Sequence, residues 1–416
     1  MEIGFVHFSS EERRRVNNAL QRLREQESVD ELGIGRVRDA FADLLFPGIS
    51  TLQHHAKYFA VLPQLYHLAQ KEYYKSPRDV KAKIIELEIK LTKNLKAGSP
   101  GIGGITGSSV VDESNKYVKY NPTYIYWTGL VAFGIMKESG SLYNLIYDYS
   151  KHEKTVKYKG KNDNKKEVTE EIKEGGIDDD GGDGVITFYS KPTCNFDINK
   201  KINIKLNKSE ALFIKRHILS SEKTRNTLLA YFLEHDEITN GNSDFLEFDI
   251  SQIQDLNIRK QLELARKFTR FIFPMHVRYN YIYAEGCKNE SAMKELHNRF
   301  LEELEKSNDV HNKETLSEIF SFLGSKLNDS SIRFFCEKAL NAILEGKSKK
   351  DFSKLDNILV DRERDIKGNV RYKLRHPAAY SFDPNHLVHY HHLTYRWETA
   401  WTMVNEIREA LGVNYG

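Results

Sequence analysis

The chain has 416 residues, 40% hydrophobic and 29% charged, with a formal net charge of +3. That length admits two or three domains, or one large domain with insertions, and that composition excludes a disordered chain or a membrane bundle. So balanced a charge confines any basic face to a local patch. The three widely spaced cysteines (Cys194, Cys287, Cys336) exclude a disulfide framework or a paired-cysteine zinc site and fit a reducing cytosol.

The start, "MEIGFVHFSSEERRR", lacks an apolar core behind a basic head, so no signal peptide is expected. No apolar run approaches the roughly 18 residues that span a bilayer. A cytoplasmic location is the expectation. After a short strand-like opening, Ser9-x-x-Glu12 forms a capping box, and Val16, Leu20 and Leu23 recur at helical spacing. Gly33 and Gly35 then break the chain ahead of a helix. Val37, Phe41, Leu44 and Leu45 make its apolar face, with Arg36, Asp39 and Asp43 opposite. Pro47 must end that helix and Gly48 permits a tight reversal. Ser50-x-x-Gln53 reads as a second capping box opening "STLQHHAKYFAVLPQLYHLAQ". The spacing therefore predicts two helices joined by a tight, angled turn.

Ser76-Pro77 opens the next helix, which runs through Val80, Ile84, Leu87, Leu91 and Leu95 to Gly98. A glycine-rich loop, "AGSPGIGGITGSS", leads to an aromatic helix, "NPTYIYWTGLVAFGI", capped by Gly134. Residues 151–184 are charged and glycine- and aspartate-rich, and read as a mobile insertion with a β-hairpin at its base. From Ile202 onward the pattern is helical again. Its longest element, 257–284, should be kinked at Pro274 and carry Phe268, Phe271, Ile272 and Met275 in the core. Two or three amphipathic helices follow from Glu290 to Gly346, then a basic linker. The last helix should bury Trp397, Trp401, Val404 and Leu411, with Arg396 as a buried ion-pair partner. No fixed period is visible, which excludes a solenoid. The fold class expected is mainly α: multi-helical, with a helix-turn-helix-like N-terminal pair and a few short strands near the N-terminus and around the insertion. The expected domains are 1–150, the insertion 151–184, and 185–416.

Several residue groups could carry chemistry, each beside a plainer reading. A helix-turn-helix at 36–70 would aim the first turns of its second helix at DNA, offering Gln53, His54, His55 and Lys57 to bases and phosphates. The alternative is a packed αα-hairpin with those residues on its wet face. The glycine-rich loop 98–109 could cradle a phosphate, but it lacks the Lys-Ser/Thr ending of a P-loop, and a flexible connector competes. "NHLVHYHH" gathers His386, His389, His391 and His392, with His376 nearby, as potential metal ligands; no carboxylate stands at familiar spacing and HExxH is absent. Asp178, Asp179, Asp180 and Asp183 lack calcium-loop spacing and read as a solvated loop. Arg371 and His376 stand in the Arg-x4-His spacing of one class of metal-independent ribonucleases, a pattern that also arises by chance. The basic stretch Arg362, Arg364, Lys367, Arg371, Lys373 and Arg375, with Tyr372 among them, suits a phosphate backbone or simply a solvated face. No cofactor is expected.

Five blocks, "IGFVHFSSEERRRV", "DELGIGRVRDAFADLLFPGISTLQHHAKYF", "YIYWTGLVAFGI", "RERDIKGNVRYKL" and "LTYRW", resemble the prokaryotic domain-of-unknown-function family 6361 (DUF6361), with the 151–184 insertion outside the resemblance. The family brings no established activity. What it implies is a gene neighbourhood of helicases and nucleases in phage-defence islands, an association rather than a mechanism. In the family pattern arginines stand where this chain has His55 and Lys57, which weakens fixed positive charge there. The histidine cluster is not part of that pattern. Three functions remain open. The first is a non-enzymatic, nucleic-acid-associated component of an antiviral system, binding DNA more readily than RNA, acting with a helicase or nuclease and without a membrane. The second is a nuclease or hydrolase effector using Arg371 and His376 or the 386–392 histidines. The third is a protein-binding scaffold.

Overall fold

A computed structural model of the chain describes residues 30–111, 118–137, 141–151, 190, 196–239, 244–327, 329–369, 371–374 and 382–413. These residues are mainly helical, and no strand forms among them. The expected short strands at the N-terminus, the Ser9 capping box and all of the 151–184 segment after Lys151 lie outside the described residues. The chain divides into two compact units, each built from two stretches: Met1–Leu44 with Asp249–Tyr395, and Leu45–Phe248 with Arg396–Gly416.

The first unit opens on the two glycines. The Asp30 carboxylate accepts from the amides of Leu32, Ile34 and Gly35 at 3.1, 3.0 and 2.7 Å. Gly33 takes φ +64° to make that turn, and helix α1 (Gly35–Leu45) follows. Val37, Phe41 and Leu45 are buried as expected, while Leu44 is only half-buried. Helix α7 (Leu256–Gly286) is the long element; its N-terminus is capped by Asp255 and it continues past Pro274 for three more turns. Phe268, Phe271, Ile272 and Met275 are all in the core. Helix α8 (Glu290–Lys306) packs along α7, and α9 (Lys313–Leu323), α10 (Ser330–Lys349) and α11 (Ser353–Lys367) complete the set. Helix α11 lies where a basic linker was expected. Its aspartates and arginines hid an amphipathic pattern carried by Leu355, Leu359 and Val360. The buried Arg278 of α7 grips Asp356 of α11 at 2.6 and 2.7 Å, its guanidinium lying 4.0 Å from the Tyr281 ring centroid.

The second unit holds α2 (Lys57–Gln70), α3 (Pro77–Gly98), α4 (Pro122–Ala132), α5 (Lys208–Ser220), α6 (Leu228–Glu234) and α12 (Trp397–Leu411). Helix α2 starts six residues later than its supposed capping box implied, with Ala56 rather than Ser50 at its N-cap. The amide of Ser50 does donate to Gln53 Oε1, but Gln53 Nε2 is taken by the carbonyls of Gly48 and Ile125, so this chemistry closes a turn instead. The connection from α1 to α2 thus runs over residues 46–56, far longer than the three or four residues of a helix-turn-helix. Helix α3 follows its expectation closely: Ser76 and Asp79 form the capping box, and Val80, Ile84, Leu87, Leu91 and Leu95 are buried. Helix α12 seats Trp397 among Phe46, Phe232, Phe245 and Phe248 at ring distances of 5.1–6.0 Å. Leu411 is only half-buried. The fully buried arginine of this helix is not Arg396 but Arg408, which donates to the carbonyls of Phe232, His235 and Ile238.

Gly129 on α4 lets that helix touch its neighbours. A Cβ there would stand 2.5 Å from the Phe59 ring and 2.7 Å from the Gly48 carbonyl oxygen. In an open helix Gly→Ala gains about 1 kcal/mol. Here Gly129→Ala should instead destabilise by about 1–3 kcal/mol through overpacking. Urea unfolding reads the sign directly, and a gain would mean the contact is absent.

Candidate functional site

The 53–57 group, in the second unit, is largely turned inward. Gln53 is 2% exposed and Lys57 5%. Lys57 Nζ donates to both carboxylate oxygens of Glu210, at 2.6 and 2.7 Å. His55 lies between Glu406 Oε1 (2.6 Å from Nδ1) and the Gly103 carbonyl (2.8 Å from Nε2). A carbonyl and a carboxylate both accept, so this geometry calls for a proton on each ring nitrogen. Burial works against the charged form, but the bonds to Glu406 and Gly103 outweigh it, and the His55 pKa is raised. Glu406 also accepts from the Ala56 amide at the start of α2. Only His54 is exposed to solvent. Gln53, His55 and Lys57 thus fasten the start of α2 to its surroundings rather than forming a wet face.

The 362–376 stretch, in the first unit, is similarly committed. Arg362 Nε donates to the Leu32 carbonyl at 2.9 Å, and its guanidinium lies over Phe335. Lys367 and Lys373 converge on Glu31 Oε1, at 2.5 and 3.1 Å, while His389 Nε2 stands 2.7 Å from Glu31 Oε2. Burial alone would raise the Glu31 pKa, but these three partners hold it well below the usual carboxylate range. A second carboxylate, Glu363, is fully buried and accepts from the Tyr279 hydroxyl and the amides of Lys373 and Leu374. Burial, then the Glu363 charge, pushes the Tyr279 pKa far up. Arg364 pairs with Asp361 at the surface and Arg371 is exposed; Arg375 and His376 lie outside the described residues.

Of the histidines, His389 and His391 approach each other and the buried His276: ring centroids are 5.7 Å apart for His276 and His389, and 6.3 Å for His389 and His391. Neither nitrogen of His276 has a hydrogen-bond partner among the described residues. Asn280 fixes this loop by exchanging two 2.8 Å bonds with the backbone of Val388. His386 pairs with Asp383 at the surface, and His392 packs on Phe273. Among the described residues no group of three or more histidine, cysteine or acidic side chains is arranged to hold a metal ion. The sequence reading missed Glu31, Glu363, Tyr279 and His276. No local motif marks them, because the cluster forms only when four separate segments meet.

A different surface, in the second unit, is open. The segment 196–207 lies along the C-terminal half of α3: Asn94 donates to the Ile198 carbonyl and accepts, through its own carbonyl, from Ile202, and Ile204 donates to Ser99 Oγ. Gly98 permits this, since a Cβ there would meet the Ile202 backbone at 2.2 Å. The contact joins the segment carrying the exposed Lys200, Lys201 and Lys205 to α3, on which Lys93 and Lys96 are exposed and Lys90 is half-buried. Lys90 reaches Asn199, Asp197 lies 3.7 Å from Lys200, and Glu409 lies 3.2 Å from Lys205. Glu88, the nearest acid on α3 itself, is buried and accepts from the Thr123 amide. The glycine-rich loop runs beside this surface, with Lys96 Nζ bonded to the Ser108 carbonyl. Gly101 and Gly103 have open space around them.

The fold is thus that of a helical protein of two units, and no helix among the described residues is long and apolar enough to cross a membrane. The family resemblance is borne out by a match of residues 2–166 to the model of a family of unknown function, DUF6361. That match includes 151–166, so the start of the supposed insertion falls within it, while "RERDIKGNVRYKL" and "LTYRW" lie beyond it. No curated protein and no solved structure matches the chain.

Proposed function

We propose that this protein is a non-enzymatic, nucleic-acid-binding component of a prokaryotic antiviral system, acting with a partner enzyme such as a helicase or nuclease and binding DNA in preference to RNA. The observation that carries the nucleic-acid part is the lysine surface of α3 and 196–207. There Lys93, Lys96, Lys200, Lys201 and Lys205 are exposed on neighbouring backbone segments. Such an array attracts a phosphate backbone by releasing its condensed counterions, whatever the base sequence. The antiviral setting rests on the family association alone. The residues first considered for the interface contribute little to this reading, because Gln53, Lys57, Lys367 and Lys373 are committed to partners inside the protein.

The test is fluorescence anisotropy with labelled duplex DNA, single-stranded DNA and RNA at two salt concentrations, for the wild type and Lys93→Glu/Lys200→Glu/Lys201→Glu. The wild type should bind with a steep salt dependence. The variant should lose roughly tenfold or more in affinity, with a salt slope shallower by about 2 or more. Undiminished binding by the variant would remove this surface from the interface, and no binding by the wild type would end the nucleic-acid reading. The effector reading has one observation in its favour, the gathering of His276 and His391 about His389, which itself meets Glu31. Cleavage of the oligonucleotides during the assay would shift the weight to it.

A further inference from the structure

The lysine surface has an aromatic edge. Residues 118–124 lie against the other flank of α3: Val118 and Pro122 line a small cavity with Ile89 and Thr92, and the Thr123 amide is held by Glu88. On this segment Tyr120 and Tyr124 are 46% and 62% exposed, with ring centroids 5.3 Å apart. Lys119 Nζ lies 5.3 Å from the Tyr120 centroid. Lys93 joins the two flanks. Residues three and four apart on a helix are neighbours, so Lys93 adjoins Lys90, which reaches Asn199 on one side, and Ile89, which meets Val118 on the other.

Exposed single aromatics are ordinary, but a pair beside lysines has a specific use. The lysines alone would hold any phosphate backbone. Aromatic faces add affinity only for bases that are unstacked and can lie on them, and they tolerate any base because each has a π face. In a duplex those faces are already covered. We propose, resting on the nucleic-acid reading above, that this surface selects single-stranded nucleic acid, with bases stacking on Tyr120 and Tyr124 while Lys93 and Lys119 contact the adjoining phosphates. The selection is for strand form, and it is independent of base sequence.

The experiment compares three proteins: the wild type, Tyr120→Ala/Tyr124→Ala, and Tyr120→Phe/Tyr124→Phe. Each is titrated with a single-stranded DNA and with the duplex of the same length, at two salt concentrations. The wild type should bind the single strand at least roughly tenfold more tightly than the duplex. The alanine pair should lose that preference, with duplex affinity and the salt slope unchanged, and the phenylalanine pair should keep it. Both tyrosines are at the surface, so the variants should unfold at the wild-type urea midpoint. Equal wild-type affinity for the two forms overturns the inference and leaves the lysine surface standing. So does an alanine pair that binds single strands like the wild type, a result that would give the tyrosines to a protein partner. Parallel loss of single-strand and duplex binding by the alanine pair overturns it too, because stacking would not weaken the duplex. Wild-type binding to neither form overturns both proposals together.

Discussion

Lys57→Met is expected to destabilise the protein by about 3–5 kcal/mol, the cost of removing one member of a buried ion pair. Lys57 and Glu210 are both at least nine-tenths buried, and the loss of the ammonium would leave a carboxylate in the interior. Glu210 also accepts from the Asn207 amide and so completes the capping box of α5. The compensating change is therefore Glu210→Gln, which removes the charge and keeps an acceptor for that amide. The double variant Lys57→Met/Glu210→Gln should recover most of the loss, as replacing a whole buried pair often costs little. Urea midpoints for the wild type, both single variants and the double variant form the cycle. Additive effects of the two substitutions would mean the groups do not interact. A large loss of nucleic-acid binding by a fully stable Lys57→Met protein would return this lysine to the interface.

The helices were largely legible where their signals are local. The Ser76 cap, Pro77 and the apolar spacing of α3 identify that helix within a residue or so, and the core face of α7 could be read from the spacing of Phe268, Phe271, Ile272 and Met275. The Ser50–Gln53 pattern misled for a physical reason. The same side chains that cap a helix can close a turn, and the deciding partner, the Ile125 carbonyl, is 72 residues away. Burial of charge was the least legible property. Lys367 and Lys373 read as solvated cations until Glu31 is placed between them, and Lys57 until it meets Glu210. The lysine surface was invisible for the converse reason: neither α3 nor 196–207 is unusual alone, and their cations become one patch only through the Asn94 and Ser99 contacts.

Lowering the pH from neutral to about 5 should destabilise the first unit by about 2 kcal/mol through His276 alone. Burial, followed by the neighbouring His389 and His391, pushes the His276 pKa from 6.5 down to about 3, against a smaller opposing pull from Glu31. Between those two values the unfolded chain binds a proton that the folded protein refuses, so stability falls as the pH drops through this window. His311, lowered to about 4 by burial and then Lys347, adds a loss of the same sign. Glu31 does not enter at this pH, because it is ionised in both states until the pH approaches its unfolded value of 4.5, below which its contribution also declines. His55 acts in the opposite sense: its raised pKa stabilises the protonated form, a contribution present below 6.5 and lost as pH rises through the folded value. His276→Leu separates these effects. It removes two buried nitrogens that find no hydrogen-bond partner among the described residues, so stability at neutral pH should hold or rise. Its loss between neutral pH and about 5 should be smaller than that of the wild type by about 2 kcal/mol, leaving the shares of His311 and of His391, whose pKa burial also lowers. Urea unfolding across that range decides the matter. An identical pH slope in the two proteins would mean that His276 accepts its proton in place, and that the interior around it is open to water or to a bound anion.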